Sequence, residues 1–220
     1  MKPDRRWGNI HQATKATLVE IKHRDTGAVI FSRDVESNTV AKTLRIAIIL
    51  KIDIRHADLS GQDLTNTYFD GADFSYCNMA AANLSGASFR NARFDHASMN
   101  RVIAHHGNFE KALFNQAFMQ KSSFVGANLN NVLSMEGDWR YADCTNADMR
   151  GFGTRGAQLK GMILDGTLLD GDDTRLGYRA PRHKVPCVCD GPCQNCIGCD
   201  VPKKYETFGE LASPGKTRSF

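Results

Sequence analysis

No run of eighteen apolar residues occurs anywhere in the 220-residue chain, so the sequence holds no segment suited to spanning a membrane as a helix. The opening residues, MKPDRRWGNIHQATK, lack the apolar stretch of a secretory signal, and the expected location is the cytoplasm. In that compartment the seven cysteines do not read as a disulfide framework. Phosphate loop, dinucleotide fingerprint and nucleophile elbow are all missing. Nor does one sign of charge dominate. Lys and Arg against Asp and Glu number 10 to 6 over residues 1–54, 11 to 14 over 55–175 and 7 to 4 over 176–220. A mildly acidic centre lies between two basic ends, which bears on solubility and partners and not on fold.

What the chain does have is a period of five. From Leu59 to Leu169, every fifth position gives 23 sites, and 20 of them are Leu, Phe, Met, Trp or Cys. A step of five rotates a helix by roughly 140° and so sprays these residues around its axis. In a flat strand an odd step alternates faces. The backbone must therefore turn a corner within each pentad. Steps of twenty sort the large residues into columns: Phe69, Phe89 and Phe109; Phe74, Phe94 and Phe114; Met79, Met99 and Met119. Four sides per coil follow, with like residues stacked about 4.8 Å apart, in a square solenoid of just under six coils and roughly 28 Å in height.

The position two before each large residue lies on the same short side and is expected to point inward as well. It is Ala in 12 of 23 cases. Where the large residue is lost, at Ala104, Ser134 and Thr154, this neighbour grows to Val102, Val132 and Phe152, and beside the bulkiest, Trp139, it shrinks to Gly137. Volume per side is conserved, as one close-packed core requires. Two residues after each large position, 13 of 23 are Gly or Asn, types that tolerate the backbone angles of tight corners. Cys77 and Cys144 fall on inward positions and read as core.

The motifs ADLSG, GADFS, AANLSG, GASFRNARF, GANLN and NADMRG, within residues 57 to 171, resemble those of the pentapeptide-repeat family. The resemblance implies an all-β solenoid, a right-handed quadrilateral β-helix. It also implies a function class, since some members imitate duplex DNA and bind or protect DNA gyrase and related type II topoisomerases. Fold alone does not carry that activity over.

The expected organisation is a flexible basic N-terminus over 1–16, a β-hairpin and helix over 17–54, the β-helix over 55–172 and an irregular tail over 173–220. The hairpin turns at Asp25, Thr26 and Gly27, and the helix starts from Ser37 as capping candidate, with Val40, Leu44, Ala47 and Ile48 on one face. Hairpin and helix are expected to cap the first coil, with dimerisation as the alternative use. Such caps are similar to those of bacterial and bacteriophage members of the family. In the tail, Cys187, Cys189, Cys193, Cys196 and Cys199, with His183 to spare, offer four thiolates for one zinc ion. An iron–sulfur site and a reduced tail without metal are the other two readings.

The leading functional expectation is a non-catalytic protein that shows a rigid surface to a protein partner or to a second copy of itself. Ile103, Leu113, Phe118 and Leu133 stand one before the large residue, where Asp, Asn or Ser is usual, and form the candidate interface. His105 and His106 are expected to face solvent, and a lumen filled by Phe, Leu and Met leaves no room for a substrate. DNA mimicry is the first alternative, although residues 90–121 carry a basic belt. A zinc-assisted nucleic-acid contact is the second.

Overall fold

The computed structural model describes residues 16–170. Strand β1 (Ala16–His23) and strand β2 (Val29–Glu36) pair antiparallel. Their turn contains Gly27, whose backbone is left-handed at φ +68°. Helix α1 (Val40–Ile49) follows. Its N-cap is Thr39, whose hydroxyl accepts from the Lys42 N–H at 3.2 Å, and not Ser37. Ser37 takes a left-handed φ of +50°, and Asn38 explains the shift. That side chain, nearly buried, donates to the Arg33 carbonyl at 2.8 Å and accepts from the Thr43 hydroxyl at 2.9 Å, fixing the helix start against the hairpin. Ile21, Leu44 and Ala47 are buried in the same apolar cluster as Ala57 and Leu59. Strand β3 (Ala57–Asp58) pairs antiparallel with β1, so the hairpin continues the sheet of the first coil.

From Asp58 onward the chain coils. Parallel bridges join each bridging residue to the one twenty further on, from Asp58 with Asn78 to Asp148 with Leu168. Four sides result. The first carries Asp58, Asn78, Ser98, Phe118, Asp138 and Gln158, and the second Asp63, Asn83, Ile103, Ser123, Asp143 and Ile163. The third runs from Tyr68 to Leu168, and the fourth carries Asp73, Arg93, Leu113, Leu133 and Gly153. Each side is two residues of ladder: Leu59 N–H donates to Asn78 O at 2.7 Å while Asn78 N–H donates to Ala57 O at 2.9 Å. The peptide groups are thus satisfied between coils, and the side chains on either side of each bridge are free to fill the lumen.

Inside, Phe69, Phe89 and Phe109 stack at 5.2 Å spacings, and Phe74, Phe94 and Phe114 at 5.4 and 4.8 Å. Neighbouring columns meet edge to face, as Phe74 does with Phe89 at 72°. Above Phe114 that column breaks, because the next residue in it is Ser134. Trp139 fills the space, 5.8 Å from Phe114 and 5.2 Å from Phe152, and its indole N–H donates to Ser134 Oγ at 2.7 Å. Ser134 is buried but not orphaned.

At the corners, every fifth residue from His56 to Gly166 has a positive φ, between +52° and +74°. Gly and Asn relieve this cheaply, but His, Tyr, Arg, Lys, Gln, Glu and Ala adopt it too. Two hydrogen bonds overrule local preference. At the first full corner Gln62 N–H closes the turn onto Leu59 O at 3.2 Å, and Gly61 N–H reaches Ala80 O on the next coil at 2.8 Å. Many corner glycines have a second role, for each lies against the corner side chain of the coil before it. A Cβ on Gly126 would come within 2.5 Å of His106 Nδ1.

Candidate interaction surface

A bridging residue points its side chain out of the lumen, and all but the buried Asp138 reach solvent at least in part, so the character of each side is set by one residue per coil. Most are Asp, Asn or Ser. Leu113 and Leu133 interrupt the fourth side and are bridged to each other. Phe118 stands on the first side, around the adjoining edge. Met135 lies on that edge itself, a member of the surface that register alone did not mark because it sits one after a large position. Phe118, Leu133 and Met135 are 48, 44 and 45% exposed, and Leu113 is half-buried. Gly153, next in the fourth column, holds the space that Leu133 Cδ2 occupies, since a Cβ there would approach it to 2.8 Å.

Ile103 does not belong to this surface. It is exposed, but it bridges Asn83 and Ser123 on the second side, opposite the fourth. A count of five along the chain moves a residue around one corner, and Ile103 is two corners from Leu113.

The edge between the fourth and first sides bears a groove of about 540 Å³, with Arg55, Arg93, Asp95, His96, Asn115 and Met135 in its wall. Asp95 is 9% exposed and is held by Arg93 at 2.8 Å and by the Asn115 amide at 3.0 Å. Below lies a ladder of rings that crosses from hairpin to solenoid. His23 stacks on His56 at 5.1 Å, His56 on Tyr76 at 4.8 Å and Tyr76 on His96 at 4.7 Å, all within 8° of parallel. Arg24 secures the junction, donating to the Tyr76 carbonyl at 2.8 Å.

His23, Asp25 and His56 bring donor atoms within 4.8 Å of one another, the composition of a metal site. Their geometry is not that of a chelate. An imidazole binds a metal in its own plane, and two nearly parallel planes whose ring centres are 5.1 Å apart share no such point. His23 Nδ1 also accepts already from the Asp25 and Thr26 N–H groups, at 3.2 and 3.4 Å. The cysteines named for zinc, Cys187, Cys189, Cys193, Cys196 and Cys199, lie outside the described residues, as do His183 and residues 1–15. Cys77 and Cys144 are buried. Burial pushes the Cys77 thiol up to about 12 and that of Cys144 upward as well, so neither is a nucleophile at neutral pH.

His105 and His106 do not form a pair. His105 is half-buried with Nε2 2.8 Å from Ser123 Oγ, while His106 is exposed at a corner over Gly126. Only His106 faces open solvent. The side chain of His105 leans instead toward the next coil, where a serine is in reach.

The carboxylates are largely engaged. Arg55 pairs with Asp53, Arg93 with Asp95, Arg140 with Asp138 and Arg150 with Asp148, at 2.6 to 2.8 Å. Each pair spans two residues. The hydrogen bonds from Arg55 pull Asp53 down to about 2, and those from Arg150 likewise hold Asp148 below the ordinary carboxylate range. For Asp138 burial acts upward, but Arg140 and Gln120 outweigh it and the net shift is downward. No helix among the described residues is long and apolar enough to cross a membrane.

Residues 52–91 and 77–116 match the family model for pentapeptide repeats, in eight copies. No curated protein matches the chain. Among solved structures the chain is similar to HetL, a pentapeptide repeat protein involved in heterocyst differentiation regulation in the cyanobacterium Nostoc sp. strain PCC 7120. Identity is 20% over 59% of this chain and 72% of that one, with a TM-score of 0.41. It is also similar to Rfr23, a pentapeptide repeat protein of the cyanobacterium Cyanothece 51142, at 17% identity over 49% and 87%, TM-score 0.31. A third similarity is to QnrB1, a plasmid-mediated fluoroquinolone resistance protein, at 19% identity over 57% and 86%, TM-score 0.28.

Proposed function

Since this chain is a pentapeptide-repeat protein, we propose that it acts without catalysis, as a rigid rod whose fourth side and adjoining edge receive a protein partner. The observation that carries this reading is the cluster of Leu113, Leu133, Met135 and Phe118 at surface positions. Most bridging positions are polar and the other exposed apolar ones, such as Tyr68 and Ile103, stand on other sides, so it is the gathering of four apolar side chains at one edge that marks a contact surface. A rod held by inter-coil hydrogen bonds loses little conformational entropy on binding, which favours contact through a flat face. The groove beside Met135 supplies the polar rim that such a contact needs.

The reading as an imitation of DNA for gyrase or another type II topoisomerase draws less support. It asks for free carboxylates spaced evenly along the rod, and within the coils Asp95, Asp138 and Asp148 are each paired with an arginine two residues away, which interrupts the row of acids such as Asp63, Asp73 and Asp143 that make no ion pair among the described residues.

The test is affinity capture from the native cell with the wild-type chain and with Phe118→Glu/Leu133→Glu. A partner retained by the first and lost by the second, at equal thermal stability, supports the surface. Identical captured sets would remove it.

A further inference from the structure

The basic belt of residues 90–121 is not a belt once the chain is coiled. Its members fall on different sides and edges, and one edge collects cations without acids. Between the first and second sides the corner residues are, coil by coil, Ser60 and Gly61, Ala80 and Ala81, Asn100 and Arg101, Gln120 and Lys121, Arg140 and Tyr141, and Lys160 and Gly161. Each other edge includes at least one carboxylate: Asp165, then Asp70, Glu110 and Asp170, then Asp95 and Glu136.

Arg101, Lys121 and Lys160 are exposed and make no ion pair among the described residues, while Arg140 is committed to Asp138 at 2.7 Å. The nearest acids on the flanking sides are engaged as well. Asp138 also accepts from Gln120 at 2.6 Å, and Asp143 accepts from the Thr145 N–H and hydroxyl at 2.9 and 2.6 Å. Arg101 and Lys121, one coil apart, border a shallow hollow of about 410 Å³ whose other walls are Ala80, Ala81, Asn100 and Gln120. The alanines leave the space, and the amides add hydrogen-bonding groups.

We propose that the edge bearing Arg101, Lys121, Arg140 and Lys160 binds the phosphodiester backbone of a nucleic acid, separately from the apolar surface. A file of cations at the coil repeat of about 4.8 Å meets a line of phosphates as a set of charge contacts. Amide and guanidinium groups fix the backbone without reading bases. A protein partner is the poorer fit, because protein contacts need an apolar centre and, among the corner residues of this edge, Tyr141 is the single large side chain with an apolar body. Tyr141, 51% exposed in the same file, offers a ring on which an unpaired base stacks.

The test is fluorescence anisotropy of the full chain with a labelled 30-nucleotide strand and with its duplex, over a salt series, with polyglutamate as competitor. Three neutralised phosphates, one for each of the unpaired Arg101, Lys121 and Lys160, predict a slope of log K against log salt of about −2.7 for duplex and roughly −2 for single strand. Arg101→Glu/Lys121→Glu should weaken binding at least tenfold at low salt and flatten the duplex slope by about 1.8. Arg90→Glu/Lys111→Glu makes the same charge change on another edge and should alter affinity by less than threefold. Should the first variant not fold, Arg101→Ala/Lys121→Ala replaces it, with an expected loss of threefold or more. A tighter complex with the single strand than with duplex assigns the Tyr141 contact. The proposal fails if no binding is seen at low salt, if both edges matter equally, or if polyglutamate competes as well as DNA at equal charge. Capture of a protein partner through Phe118 and Leu133 is unaffected by any of these outcomes.

Discussion

Where the phenylalanine column breaks, three residues share one volume, and a single methyl group tests whether they do. Gly137 has an ordinary negative φ, so its lack of a side chain is not a backbone requirement. A Cβ there would overlap Ser134 Oγ and come within 3.3 Å of Met119 Cε and the Phe114 carbonyl. The carbonyl cannot move without breaking the coil, because it accepts from Ala117 N–H at 3.1 Å. Ser134 must therefore turn away, and Trp139 loses the acceptor of its 2.7 Å bond. A buried indole N–H without a partner costs about 1–3 kcal/mol, and forcing a methyl into a filled core costs a further 1–3 kcal/mol or so. Gly137→Ala is thus expected to lose about 2–6 kcal/mol. Ser134→Ala should lose about 1–3 kcal/mol, since it removes the acceptor and relieves no strain. In the double variant the hydroxyl that the new methyl strikes is absent, so the total should fall short of the sum by about 1 kcal/mol or more. Urea denaturation followed by tryptophan fluorescence, at a constant m-value, measures all three. Additivity of the two substitutions, or a Gly137→Ala variant within about 0.5 kcal/mol of wild type, would refute the shared-volume account.

Gly126→Ala places a methyl 2.5 Å from His106 Nδ1 at a left-handed corner and should cost about 1–2 kcal/mol; His106→Ala in the same chain should restore part of it in thermal melts. Asp138 and Asp148 have folded pKa values below the ordinary carboxylate value, so their stabilisation is complete above about pH 4 and is lost as pH falls through the lower folded value. Asp148→Asn should be less stable at pH 7 and show a shallower loss under acid than wild type, measured by urea midpoints from pH 7 downward. Cys77 and Cys144 should resist alkylation at pH 8 in the native chain and react in denaturant, as read by peptide mapping; modification of either under native conditions would contradict their burial.

The core was legible because it obeys arithmetic. A side with one large and one small inward residue conserves volume, and Val102 beside Ala104 or Gly137 beside Trp139 betray the compensation without coordinates. The large residues named from the period, from Phe69 to Trp139, are buried in the structure. The surface was less legible because its neighbours are set by the coil and not by the chain. Ile103 looks close to Leu113 in sequence and lies on the opposite side. His23 belongs to an aromatic column whose other members begin 33 residues later at His56, and no local pattern in the hairpin announces it. Ser37 and Thr39 are both good capping residues; the choice falls to Thr39 because Asn38 is tied into the hairpin at Arg33 and Thr43. Corners were recognised through Gly and Asn, yet residues such as Tyr76 and Arg101 take the same backbone angles, since hydrogen bonds to the next coil decide the conformation there.

The bridges at intervals of twenty also determine which changes of length this architecture can absorb. Gain or loss of twenty residues adds or removes one storey and leaves every column above it aligned. Five residues keep the interior filled but swing everything beyond the junction by a quarter turn, so that Leu133 would face where a neighbouring side now points. One residue exchanges inside for outside along the remainder. Surface patterns on such a rod can therefore be re-aimed in steps of ninety degrees by pentad insertion, a form of rearrangement closed to helices and ordinary sheets.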